Sequence, residues 1–223
     1  MLLCCSLLGC GHRQFLAPIY DARGHRVHGW HPAYYRVVRG DTLYSIAFRY
    51  DEDYRRLAAL NGMKAPYMVR VGQVIRLQAI QKPKRVQRSP KKTLQTNRPV
   101  THYWGAKWIR PAPGRVVSGF APSQGRKGID IAGQKGQAVR AAASGVVAYA
   151  GHGIAGFGNL IIIKHDHQYL SAYGYNARNI VREGAKIKAG QVIAYMGMVD
   201  RRYWGVHFEI RRQGAPVNPL NYF

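Results

Sequence analysis

From Trp108 to Phe223 the sequence never keeps a helical period; short apolar or alternating runs are cut off every few residues by glycine. The runs are Ala138 to Ala143, Val146 to Ala150, Asn159 to Lys164, Tyr169 to Tyr173, Gln191 to Met196 and Val206 to Arg211. Such runs, bounded by turn signals, are expected to form an all-β sheet domain over residues 108–223. Residues 34–78 follow another pattern. Tyr35-Arg36-Val37-Val38 reads as a strand, and Gly40-Asp41-Thr42 opens a helix that carries Leu43, Ile46, Ala47 and Tyr50 at core spacing, with Asp41 or Thr42 as its cap. A second helix with Leu57 and Leu60 stops at Asn61-Gly62, Pro66 follows, and Val74 to Leu77 closes the unit as a strand. The expected fold class is mostly β with a small α+β module: a βααβ unit first, the β-sheet domain second.

The βααβ unit resembles a LysM domain through Tyr35-x-Val37-x-x-Gly40-Asp41-Thr42-Leu43-x-x-Ile46-Ala47, Asn61, Pro66 and Val71-Gly72-Gln73. The resemblance implies binding to glycan that contains N-acetylglucosamine, through Gly40, Asp41, Thr42 and Leu43 on one side and Asn61, Pro66 and Tyr67 on the other. Turn geometry alone also accounts for Gly40, Asn61 and Gly72, and capping alone for Thr42.

Charge and cysteine placement narrow the setting. A formal charge of +24, from 34 Lys and Arg against 10 Asp and Glu, draws the protein toward anionic polymers or lipid. Residues 79–107 contain much of this charge, with Pro83, Pro90 and Pro99, and read as an extended basic linker. Residues 78–100 lack the interleaved aromatics that a nucleic-acid tail would use for base stacking, so no nucleic acid is expected as a partner. Cys4, Cys5 and Cys10 are the only thiols, which leaves no disulfide framework or thiolate metal site elsewhere. The run Met1 to Leu8 followed by Gly9-Cys10 is too short to span a bilayer and resembles a lipoprotein signal peptide over residues 1–10, with Cys10 acylated and residues 11–33 as a tether. No Lys or Arg precedes Cys10, so the start codon is expected upstream. Gly11, in place of aspartate, implies the outer membrane, facing the periplasm.

Residues 108–223 resemble the lysostaphin-type, or LytM-like, metallopeptidases. The matching stretches include Gly128-Ile129-Asp130-Ile131-Ala132, Gly158-Asn159-Leu160-Ile161-Ile162-Ile163-Lys164-His165, Lys188-Ala189-Gly190-Gln191 and His207-Phe208-Glu209-Ile210-Arg211. Active members of that family hold zinc with a His and an Asp four residues apart and the second His of a His-x-His pair; two further histidines serve the attacking water. An open zinc site needs three such ligands to activate water at the fourth position. Here Arg126 stands at the first ligand position, and a guanidinium has no lone pair to donate. Asp130 and His207 remain, Gly205 replaces the first histidine of the pair, and Tyr175 replaces the other catalytic histidine. The expectation is a degenerate domain with no catalytic residues and no metal or other cofactor, in which Arg126 and Asp130 form an ion pair in the vacated pocket.

LysM unit, basic linker and degenerate LytM-like domain occur in the order found in NlpD-type outer-membrane lipoproteins. That resemblance implies a non-enzymatic protein that binds peptidoglycan glycan strands and activates a periplasmic N-acetylmuramoyl-L-alanine amidase during daughter-cell separation. Arg126, Asp130, Tyr175, Tyr203, Trp204, Gly205 and His207 are then the vestigial site and docking groove. Two alternatives are a divergent zinc-dependent murein endopeptidase that uses His152, His165 or His167, and a passive tether between outer membrane and murein.

Overall fold

The computed structural model describes residues 32–78, 108–166 and 168–223. Cys10, the tether, the basic linker and His167 lie outside the described residues.

The first unit runs β1 (Tyr34–Arg36), α1 (Leu43–Arg49), α2 (Tyr54–Leu60) and β2 (Val74–Arg76). The strands pair antiparallel, with Tyr35 opposite Ile75. Of the two candidate caps for α1, Thr42 is the one used: its hydroxyl accepts from the Ser45 amide at 3.1 Å, and Ser45 Oγ accepts from the Thr42 amide at 2.9 Å. Asp41 instead accepts from Tyr35 Oη at 2.6 Å and from the Val38 amide at 2.9 Å, which fastens the loop to β1. Each helix has seven residues, too few to persist alone, so both depend on the core of Val37, Leu43, Ile46, Ala47, Tyr50, Tyr54, Leu57 and Ile75.

The second unit is a ten-stranded sheet. Its strands are β3 (Val116–Ser118), β4 (Ile129–Ala132), β5 (Ala138–Arg140), β6 (Gly145–Gly151), β7 (Asn159–Lys164), β8 (Tyr169–Asn179), β9 (Lys186–Ile187), β10 (Val192–Val199), β11 (Tyr203–Arg212) and β12 (Ala215–Val217). The main order is β3-β4-β11-β10-β8-β7-β6-β9, with β11 also pairing β8. Strand β11 is the hub. At His207 it lies between Asp130 of β4 and Gly174 of β8.

The sheet is buried on both faces where β7 and β8 cross it. Ile161, Ile163, Tyr173, Val206, Phe208 and Ile210 belong to one core, backed by Trp108, Tyr222 and Phe223. Leu160, Ile162, Leu170 and Ala172 point the other way and meet Phe48 of α1, with Tyr149, Ile154 and Phe157 alongside. This second core explains why Asn159 to Lys164 is apolar at consecutive positions instead of alternating.

Candidate functional site

Strand alternation selects what faces the site. On β11, Tyr203, Gly205, His207, Glu209 and Arg211 share one face, whereas Trp204, Val206 and Phe208 share the other. Asp130 lies directly opposite His207. His207 Nδ1 donates to Asp130 Oδ1 at 2.6 Å, and Tyr203 Oη donates to Asp130 Oδ2 at 2.8 Å. His207 Nε2 donates to Glu209 Oε1 at 3.1 Å, and the far side of Glu209 takes the Arg211 guanidinium, with Nε at 2.8 Å and Nη2 at 2.7 Å. Arg211 continues outward to Asp51 of the first unit, Nη1 to Oδ1 2.6 Å, and Asp51 also pairs with Lys127. Anions and cations thus alternate along a row from the site to the helical unit.

This row sets the protonation states. Burial works against a charge on His207, but the hydrogen bonds to Asp130 and Glu209 override it and raise its pKa to about 9. At neutral pH the ring is an imidazolium that donates from both nitrogens. Burial would likewise lift Glu209, which is only 1% exposed, yet the Arg211 guanidinium and His207 hold its carboxyl at about 2. For Asp130, too, burial is outweighed by His207 and Tyr203, and its pKa lies below the usual carboxylate range.

The remaining positions are spread more widely. Arg126 is exposed, and its Nε donates to the Gly119 carbonyl at 3.1 Å. The expected Arg126–Asp130 ion pair is therefore corrected: the Asp130 carboxylate is already occupied by His207 and Tyr203. Gly205 is packed so closely against β4 that a Cβ would lie 2.5 Å from the Ile131 carbonyl oxygen, so the backbone has closed over the place where a side chain would project. Tyr175 sits at a bulge in β8, marked by a register shift against β7 between Asn159 and Ile161 and another against β10 between Tyr195 and Met196. Its φ is 58°, its hydroxyl donates to Asp200, and its ring lies 6.4 Å from that of His207. Asp200 and Arg201 are also left-handed, and with Gly156, Gly158, Tyr175 and Met198 they line a cleft of about 400 Å³ beside the site. Trp204 is not brought in; it lies across from Met198 on the opposite face, with Lys135 Nζ 5.6 Å from its ring.

Among the histidines considered as replacements, His165 is occupied within the β-domain: Nδ1 lies 2.8 Å from the Ser144 carbonyl oxygen and Nε2 lies 2.7 Å from Ser171 Oγ. Burial keeps its pKa below the ordinary value. His152 is exposed. Among the described residues, no three His, Cys, Asp or Glu side chains converge to hold a metal ion.

In the helical unit, Leu43 is core and Gly40 is an exposed turn residue with φ 86°. Asn61 spends its side chain on the backbone, donating to the Leu57 and Arg76 carbonyls at 2.8 and 2.9 Å and accepting from the Arg76 amide at 2.7 Å. Pro66 is exposed, and Tyr67 packs against Tyr44 and Tyr54 with ring centroids 6.3 and 5.8 Å apart. Glu209, Arg211 and Asp51 were not singled out from the sequence. The spacing of Glu209 and Arg211 from His207, two and four residues along a strand, is the signal that places them on its face.

Residues 35–78 match the LysM domain, and residues 124–219 match the peptidase family M23. The chain is 43% identical to a Pseudomonas aeruginosa protein named lipoprotein NlpD/LppB homolog, over 84% of this chain and 76% of that one. It is 37% identical to the outer membrane antigenic lipoprotein B of Histophilus somni, over 82% of this chain and 65% of that one. It is 36% identical to the murein hydrolase activator NlpD of Escherichia coli, over 84% of this chain and 67% of that one.

Proposed function

As this chain belongs to the NlpD/LppB lipoprotein family, we propose that it is a non-catalytic, murein-binding lipoprotein that activates a periplasmic N-acetylmuramoyl-L-alanine amidase during daughter-cell separation. The observation that carries the non-catalytic part is the chemistry of the side chains around Asp130 and His207: Arg126 is an exposed guanidinium with no lone pair to donate, and Gly205 has no side chain and no room for one. Arg126 and Gly205 supply no further ligand or base. The residues present do not fit an open zinc site, and no hydrolytic step is assigned to them.

The reading gives the LysM unit, residues 34–78, to glycan through Gly40, Asp41, Thr42, Leu43, Asn61, Pro66 and Tyr67. Leu43 and Asn61 would act by shaping the loops, given their buried and saturated side chains. The amidase is given the groove of residues 108–223 around Arg126, Asp130, Tyr175, Tyr203, Gly205 and His207, with the neighbouring cleft. Fixed dipoles and a locked imidazolium make this a rigid polar surface, which lowers the ordering cost of docking. Anchoring through Cys10 to the outer membrane, facing the periplasm, is supported by the names of the relatives as lipoproteins, one of them an outer membrane antigen.

Dye release from labelled murein tests the proposal. Release above the level of an amidase alone, seen only when both proteins are present, is the expected result. Release by this protein alone, abolished by a chelator, would overturn it in favour of a peptidase; murein binding with no effect on the amidase would leave a tether.

A further inference from the structure

The helical unit lies on the sheet face next to His207 and is held there by contacts that reach into its own glycan loop. Phe48 packs edge-on to Phe157 with centroids 5.3 Å apart, and the Arg211 guanidinium lies 3.8 Å from the Phe48 ring. Arg211 Nη1 also donates to the Phe48 carbonyl at 3.1 Å and to Asp51. At one end, Gly214 passes so close that a Cβ would lie 2.5 Å from the Asp53 nitrogen. At the other, Thr42 Oγ1 donates to the Ala148 carbonyl at 3.1 Å, and Arg49 Nη2 donates to the Gly153 carbonyl at 2.8 Å. A hydroxyl has one proton, so Thr42 cannot donate to Ala148 and to a sugar at once.

We propose that glycan and the β-sheet compete for the Gly40–Leu43 loop, so that binding of an N-acetylglucosamine polymer draws the LysM unit off the sheet and uncovers the face beside His207 for the amidase. This rests on the glycan and amidase readings above and adds their coupling. Closure lowers the apparent glycan affinity by the fraction of molecules that are open, and weakening the clasp restores it.

The test uses the full chain, Asp51→Asn and Gly214→Asn, with a soluble N-acetylglucosamine pentamer as probe. Asp51 and Gly214 both have positive φ, 56° and 83°, which asparagine tolerates. The first variant removes the charge facing Arg211 and Lys127; the second places a Cβ where none fits. Calorimetric titration is expected to show each variant binding the pentamer about tenfold more tightly than the parent, a change of the size a modest loss of closure produces. Amide exchange in α1 and β11 of the parent is expected to rise when the pentamer binds. Unchanged or weaker binding by both variants, or pentamer binding without faster exchange, overturns the clasp while leaving the glycan reading intact. A pentamer that binds none of the three proteins removes the glycan reading and the clasp together.

Discussion

At the residue scale, His207 keeps its proton because carboxylates occupy both sides of its ring, and this gives the site a pH signature. A histidine whose folded pKa is raised from 6.5 to about 9 contributes stability that is fully present below about pH 6.5 and is lost as the pH rises through 9. Glu209, lowered from 4.5 to about 2, contributes stability that is present above pH 4.5 and is lost as the pH falls through 2. The urea midpoint should therefore decline between pH 7 and 10, and His207→Gln should flatten that decline; an equally steep decline in the variant would show that other groups cause it. Glu209→Gln leaves Arg211, 2% exposed, with half of its anionic support. Breaking such a buried pair costs about 3 kcal/mol and should lower Tm by about 10 °C, measured by circular dichroism. The contact between Asp130 and His207 is half legible in the sequence, since both residues stand out there but their pairing does not. An Arg126–Asp130 pair follows from proximity in sequence, whereas the actual partner of Asp130 comes from the β4–β11 register.

At the scale of elements, Thr42 does two jobs with one side chain, capping α1 and reaching Ala148 of β6. Loss of an N-cap costs about 1 kcal/mol, and the lost contact to β6 adds to it. Thr42→Ala should accordingly be destabilised by about 1–2 kcal/mol in urea titration, with Thr42→Ser close to the parent; equal stability of all three would mean that the Ser45 half of the capping box suffices. The helices, their core positions and most strands are legible because amphipathic period and glycine punctuation record them directly. The bulge that aims Tyr175 is not: Tyr175 and, at the next turn, Arg201 are left-handed with no intrinsic preference for that conformation, and only Asp200 beside Arg201 is of a type that adopts it readily. Tertiary packing around Gly174 and Phe157 imposes it.

At the scale of the whole molecule, the arrangement of the two units follows from a strand that is apolar on both sides. A sheet with one face in water would alternate through Asn159 to Lys164, but Leu160 and Ile162 are as buried as Ile161 and Ile163. Something must cover the second face, and Phe48 of α1 covers it. The sequence contains that hint without naming the cover, because an apolar run records that a face is buried and not what buries it. Phe48 is the residue on which the arrangement depends: it is 2% exposed, its ring meets Phe157 and Arg211, and its carbonyl accepts from Arg211. Truncation to alanine removes a buried aromatic side chain at a cost of about 3–5 kcal/mol. Because Leu43, Ile46 and Ala47 of the same helix serve the LysM core, that loss should fall mainly on the contact between units. In scanning calorimetry the parent should unfold in one transition, whereas Phe48→Ala should separate into two, the smaller unit melting first. A single transition shifted down in Tm would instead mean that the row of charges from His207 to Lys127 is enough to keep the units coupled without Phe48.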